Sequence, residues 1–151
     1  MPKATDQLLK DHKMIRKTLE GFTLGNPRFA LILETLQRII LAHAWFEDEL
    51  FLPALEAEPL LDKRYAREIV QEHEDLAHFL RRMRRTPAAQ KKEWEIDMLQ
   101  FRSLLDMHLL KEEAGLFPAA ERLLGEERLD RLAAEMERRK AEARGAADRQ
   151  G

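Results

Sequence analysis

Shifting the sequence against itself by 65 residues lays HAWFEDELFLPALE, beginning at His43, over HLLKEEAGLFPAAE, beginning at His108. His43 meets His108, Glu47 meets Glu112, Pro53 meets Pro118 and Glu56 meets Glu121. Both copies lie in runs whose apolar residues recur every three or four positions, the period of a helix with one buried face. Four residues advance a helix by about 400°, so each histidine and its glutamate sit roughly 40° apart and one turn apart, aimed at one point. A carboxylate on a buried seam is strongly disfavoured unless it has a partner. Two in matched places call for cations near both; the alternative is that Glu47 and Glu112 face water or pair with arginine in a bundle held by ordinary packing.

A second correspondence precedes each copy. DHKMI, Asp11 to Ile15, resembles EHEDL, Glu72 to Leu76, with an acid, a histidine and then an apolar residue three positions on. The chain therefore reads as two helical hairpins of one design. The first helix is expected from about Asp6 to Glu20, capped by Thr5, with the seam Leu8, His12, Ile15, Leu19 and Phe22. The second starts at Asn26 and Pro27, carries Ile32, Leu36, Ile39, His43, Glu47 and Leu50, and should end or kink at Pro53. Asp62 caps the third, about Lys63 to Arg85, with Tyr65, Ile69, His73, Leu76, Leu80 and Met83 on one face. The fourth carries Trp94, Met98, Phe101, Leu105, His108 and Glu112 before Gly115 and Pro118 interrupt it. Because His108 lies much farther from the intervening turn than His73 does, TPAAQKK should be a loop, with the packed helix beginning nearer Glu93.

Strand signals are almost absent, so the fold expected is all-α: an up-down four-helix bundle over residues 1–125 with an additional C-terminal helix. Residues 126–151 belong to the same domain, as an amphipathic helix with Leu129, Leu132, Ala133 and Met136 on a narrow stripe and a frayed end, ARGAADRQG. That helix lies on the bundle or at a homodimer contact. A length of 151 residues suits a single domain. A formal charge of -2, from 26 basic and 28 acidic residues mixed along the chain, argues against nucleic acid or an anionic membrane as partner. No signal peptide is evident and no stretch approaches the ~18 apolar residues of a membrane span, so the expected location is cytoplasmic. RRMRR, at Arg81 to Arg85, is expected to be a solvated helix end.

The absence of cysteine excludes disulfides, iron–sulfur clusters, thiolate zinc sites and a cysteine nucleophile. Of five histidines, four (His12, His43, His73, His108) fall on the inner seams of four different helices, and His78 is the outlier. Four imidazoles and two carboxylates without sulfur suit borderline first-row metals, iron first and manganese second, and two carboxylates able to bridge suggest two metals. Zinc could substitute, but no His-Glu-x-x-His motif occurs. The Glu-x-x-His string of ferritin-like sites is also absent.

The order histidine, His-x-x-x-Glu, histidine, His-x-x-x-Glu resembles the hemerythrin-like (HHE cation-binding) family over about residues 5 to 124. The resemblance implies a four-helix bundle around a non-haem di-iron centre, with His12, His43, His73 and His108 as terminal ligands and Glu47 and Glu112 as bridging carboxylates. The endings Phe51 to Pro53 and Leu116 to Pro118 look like the family's too. In one respect the chain departs: the oxygen carriers have a fifth histidine four residues beyond the third-helix one, where this chain has Ala77. His78 comes one residue late, about 140° off the ligand face of a regular helix, and only a π-bulge would swing it inward. A symmetric centre speaks against stable oxygen carriage and for binding or sensing of dioxygen, nitric oxide or iron. The alternatives are a di-iron oxidoreductase consuming peroxide or nitric oxide, an iron-centre repair or iron-donor protein, and a metal-free helical interaction scaffold. No catalytic residue is singled out.

Overall fold

The structure, a computed structural model, describes residues 3–150, with side chains through residue 146. Helix α1 spans Ala4–Glu20 and α2 Phe29–Phe46; a π-turn, Glu47–Phe51, joins α2 to the short α3, Leu52–Glu56. Helix α4 spans Lys63–Arg85 and α5 Lys91–Lys111, and a second π-turn, Glu112–Leu116, leads into α6, Phe117–Gln150. The described residues form no strand. Helix α1 pairs with α2 and α4 with α5, the two hairpins meet through α2 and α4, and α6 lies along α1.

Several ends move from where local signals put them. Helix α1 begins before Thr5: the Lys3 amide donates to Asp6 Oδ2 at 3.2 Å and the Lys3 carbonyl accepts from Gln7. Thr5 is buried inside the helix, and its hydroxyl donates to Glu121 at 3.0 Å, a tertiary partner that local cap chemistry cannot reveal. Asn26 makes a turn of its own, accepting from the Arg28 amide, so α2 starts at Phe29. Asp62 caps α4 by accepting from the Arg64 amide at 2.9 Å. Residues 86–90 lie outside helices, and α5 begins at Lys91, two residues before Glu93. The run from the start of α5 to His108 is still longer than that from His73 to the end of α4, so the non-helical residues 86–90 take up only part of the mismatch in level.

Pro53 does not end the second helix. Proline has no N–H, and in a regular helix its ring clashes with the carbonyl one turn back. Here the helix first widens by one residue, the Leu52 amide donating to the Glu47 carbonyl, and Pro53 then falls in the first turn of α3. The second hairpin repeats this, with the Phe117 amide donating to the Glu112 carbonyl ahead of Pro118. The extra residue also turns the buried face: after Glu47 the buried positions are Phe51, Leu52 and Leu55, with Leu50 only half-buried. Leu116, Phe117 and Ala120 are the corresponding buried residues of the second copy.

The core is two apolar clusters. One gathers Leu8, Phe51, Leu55, Ile69, Leu116 and Met136, and the other Ile15, Phe22, Leu36, Leu80 and Phe101. Between them, on every long helix of the two hairpins, lies a buried histidine. Gly125, at φ 78°, breaks α6, and the Arg128 guanidinium donates to the freed carbonyls of Leu123 and Leu124. Beyond the break, Leu129, Ala133 and Met136 are buried and Leu132 is half-buried, so the stripe is used within the chain. The backbone stays helical to Gln150, through the segment ARGAADRQG expected to fray from Ala143, with ion pairs such as Arg138 with Glu142 just ahead of it; residue 151 and the side chains from 147 onward lie outside the described residues. In RRMRR, Arg82 pairs with the buried Asp97 at 3.3 Å and Arg84 donates to Gln37, so two of these arginines are spent on the fold.

The expectation that no stretch approaches a membrane span is corrected: Phe29–Glu56 is one helical run long and apolar enough, by length and composition only. It reads as apolar because α2 packs on α1 and on α4, yet it buries His43 and Glu47.

At Gly115 a Cβ would stand 2.6 Å from the Tyr65 hydroxyl, which donates to the Lys111 carbonyl across the second π-turn. Gly115→Ala is expected to destabilise the fold by about 1–3 kcal/mol in denaturant melts. Combining it with Tyr65→Phe should cost less than the sum of the two; strict additivity would show that the contact is not the cause.

Candidate metal centre

The duplicated stretches bring all six expected residues into one buried layer. His12, His43, His73 and His108 come from α1, α2, α4 and α5, and Glu47 and Glu112 each open a π-turn. Both carboxylates have no exposed surface. Glu47, His73, His108 and Glu112 each place a ligand atom within 4.8 Å of the others, and so do His12, His43 and Glu112. Glu47 Oε1 lies 2.8 Å from His43 Nε2 and 3.2 Å from His73 Nε2. Glu112 lies 2.9 Å from His12 Nε2 and 3.4 Å from His108 Nε2. Each carboxylate thus touches one histidine of each hairpin.

All four rings are oriented alike, with Nε2 inward and Nδ1 outward on a carboxylate. His12 Nδ1 meets Glu113 at 2.7 Å, His43 meets Asp11 at 3.0 Å, His73 meets Asp48 at 2.8 Å and His108 meets Glu72 at 2.7 Å. The pairing runs round the bundle: α1 serves the histidine of α2, the first π-turn that of α4, α4 that of α5, and the second π-turn that of α1. An Nδ1–H held on a carboxylate leaves Nε2 as the free, more basic ligand atom. The sequence reading did not assign these four carboxylates. Their signal was present, since an acid precedes His12 and His73 and an acid follows Glu47 and Glu112.

Apart from the His12–Glu112 contact, the inward atoms are not satisfied by one another. His43 Nε2, His73 Nε2, His108 Nε2, both oxygens of Glu47 and Glu112 Oε2 are buried without a hydrogen bond, the close His43–Glu47 approach being out of line for one. Buried polar atoms of this number are ordinarily paired. A donor set of imidazole nitrogens and carboxylate oxygens converging from all sides fits cations of the borderline first-row class.

Without a cation the layer shares out protons. Burial pushes Glu112 well above the usual carboxylate range and the charge of Glu47 adds to it, while Glu47, although burial opposes it, is held well below that range by His43. Burial, and after it the charge of neighbouring His43, lowers His12 to about 4. Neutral His12 can then accept a hydrogen bond at Nε2 from protonated Glu112 while donating Nδ1–H to Glu113. Burial works against protonation of His43 and His73, yet Glu47 and Asp11 raise the first well above normal, and Asp48 and Glu47 carry the second up to about 10. Burial and then the charge of His73 lower His108, against the pull of Glu72.

His78 lies outside this layer. Its ring is exposed and packs edge-on against Phe79, and α4 is α-helical throughout. Ala77 is buried at the position where a fifth histidine would stand. The π-turns fall on the glutamate-bearing segments and not on α4.

A helical bundle around a buried His/Glu cation cluster is the class defined by fold and site together. The chain belongs to the Hemerythrin HHE cation binding domain family, which it matches over residues 3–120. No curated protein and no solved structure matches it.

Cations coordinate the deprotonated donors, so loading must displace the protons of His43, His73 and Glu112. Cation affinity is therefore expected to fall as pH is lowered from 8 to 6, with proton release on loading at pH 7. Calorimetry in buffers of different ionisation enthalpy measures that release, and a buffer-independent heat would contradict the protonation pattern.

Proposed function

We propose that the layer holds a carboxylate-bridged pair of non-haem irons, His12 and His43 on one and His73 and His108 on the other, with Glu47 and Glu112 between them. The observation that carries this is the reach of each buried carboxylate to one histidine of both hairpins. A bridging role needs that placement, whereas a single closed tetrahedral site does not. Iron is favoured over zinc by the number of donors and over softer metals by the lack of thiolate; manganese or zinc would be substitutes. Iron bound there supplies a redox-active Lewis acid that can take a small ligand at a free coordination position.

The protein, in this reading, is a cytoplasmic binding or sensing module for dioxygen, nitric oxide or iron itself. Among the described residues the other buried ionisable or hydroxyl side chains are committed elsewhere: Asp97 to Arg82 and Thr5 to Glu121. With no further buried proton donor at the centre, ligand binding is favoured over turnover. A measurable rate of peroxide or nitric-oxide consumption by iron-loaded protein would reverse that preference.

Anaerobic loading followed by metal analysis is expected to give roughly two irons per chain, the stoichiometry of a di-iron bundle. His43→Ala and Glu112→Ala should each lower iron content sharply while His78→Ala leaves it intact; iron loss in His78→Ala alone would overturn the ligand assignment. Asp48→Asn and Glu72→Gln should keep the fold and weaken iron affinity about 10- to 100-fold through ring orientation. The optical spectrum of the loaded protein should change on exposure to oxygen or nitric oxide, and a spectrum indifferent to both would leave iron as the sensed species.

A further inference from the structure

The chain continues past the segment that matches the family, and the helix that carries the continuation lies along α1, the helix of His12. A cavity of about 110 Å³ runs from the surface to His43, with Ile15, Ile39, Ala42 and Phe46 as walls and Lys140 of α6 at its mouth. Outside it, sharing Asp11, Met14 and Lys140, lies a wider groove of about 360 Å³ between α1 and α6. A water molecule occupies about 30 Å³ of liquid volume, so the inner cavity takes a molecule of two or three heavy atoms. Its walls are mostly apolar, with Asp11, the carboxylate that holds His43 Nδ1, beside them. The charged groups round the outer mouth are of both signs, Asp6, Lys10, Asp11, Glu137 and Lys140.

Lys140 closes this route in a particular way. Its ammonium stands 5.4 Å from the centre of the Phe46 ring and 3.7 Å from Glu137, and the side chain is 31% exposed. One residue earlier, the Arg139 guanidinium lies 6.0 Å from the Trp45 ring. The Phe46 ring is itself buried and the Trp45 ring part-exposed, and cation–ring contacts at these lengths are weak beside the packed stripe Leu129, Ala133 and Met136 that anchors the same helix. The duplicated half of the bundle serves as an internal comparison. Where the first half has Met14, Ala42 and Phe46, the second has Asp75, Met107 and Lys111 at the matched positions. Lys111 ties Glu68 and Glu72 together at 2.8 and 3.0 Å, laying an ion-pair cluster over His108 where the first half has an apolar cavity over His43.

We infer that the C-terminal helix forms the outer wall of an access route for a small uncharged ligand to the His12–His43 half of the centre, with Lys140 as its gate and Ala42 setting its bore. This rests on the two-iron reading, and it adds a function for residues beyond the family match. A gate alters how fast a ligand passes and not how tightly it is finally held, which separates it from a coordinating role.

Two experiments test it. In stopped-flow mixing of iron-loaded protein with nitric oxide, Lys140→Ala is expected to raise association and dissociation rates together, about threefold or more, leaving affinity unchanged. Ala42→Phe should lower association roughly tenfold at unchanged iron content, and Met107→Ala, its counterpart on the other half, should move neither rate. Rates indifferent to both Lys140→Ala and Ala42→Phe overturn the route, and an altered affinity with unaltered association overturns the gate. The second experiment needs no metal: crystals of metal-free protein under xenon should show xenon between Ile39, Ala42 and Phe46, and none in Ala42→Phe. An empty cavity in the unsubstituted protein overturns the route whatever the metal content. Failure to load iron overturns the two-iron reading and the route's role with it, and it registers as missing metal instead of as unmoved rates.

Discussion

Six ionisable side chains cut the hydrophobic core in two, and the rest of the fold is arranged around making that layer tolerable. Below it Leu8, Phe51, Ile69 and Leu116 pack together, and above it Ile15, Leu36, Leu80 and Phe101. A carboxylate taken out of water unpaired is among the costliest things a protein interior can contain. Two of them face each other here, and the metal-free layer relieves the repulsion only by keeping Glu112 protonated beside an ionised Glu47. Cations between the carboxylates would remove the conflict at its source and let all four inward imidazoles be neutral donors.

Positioning those groups needs more than a regular helix. A π-turn widens the backbone by one residue and is often found where function demands an irregular register. In this chain each π-turn begins at a buried glutamate and ends just before a proline-containing first turn, so one irregularity sets the carboxylate, absorbs the proline and rotates the apolar face that follows. Around the outside, Asp11, Asp48, Glu72 and Glu113 fix the imidazoles from behind. Each belongs to a different segment from the histidine it holds, so the layer also knits the four long helices of the two hairpins together. Arg16 and Lys111 in turn pair with Glu113 and Glu72, which extends the network to the surface.

The duplication is close in the ligands and loose elsewhere. His12 and His43 lie under an apolar approach roofed by α6, whereas His73 and His108 lie beneath Lys111 and its two glutamates. A cluster symmetric in its histidines and glutamates is thereby made asymmetric in its surroundings.

The helical class, the two-hairpin plan, the ligand histidines' common depth and the position of α4 were legible in the residues alone, because helical periodicity and a repeated His-x-x-x-Glu spacing are local properties of the chain. Asp62 as a cap and the break between α4 and α5 were legible for the same reason. The start of α1 was not, since the hydroxyl that would have capped it is bonded instead to Glu121 of a distant helix. Nor were the π-turns, because whether a proline ends a helix or is absorbed by an extra residue depends on what the next turn must bury. The outer carboxylates stood next to the ligands in sequence, but which acid serves which histidine is decided by how the helices pack. The sequence by itself thus determined which histidines and glutamates meet in one buried layer, because their spacing is a local property of the chain; only the tertiary structure, by laying α6 along one half and an ion-pair cluster over the other, decided what surrounds each half of it.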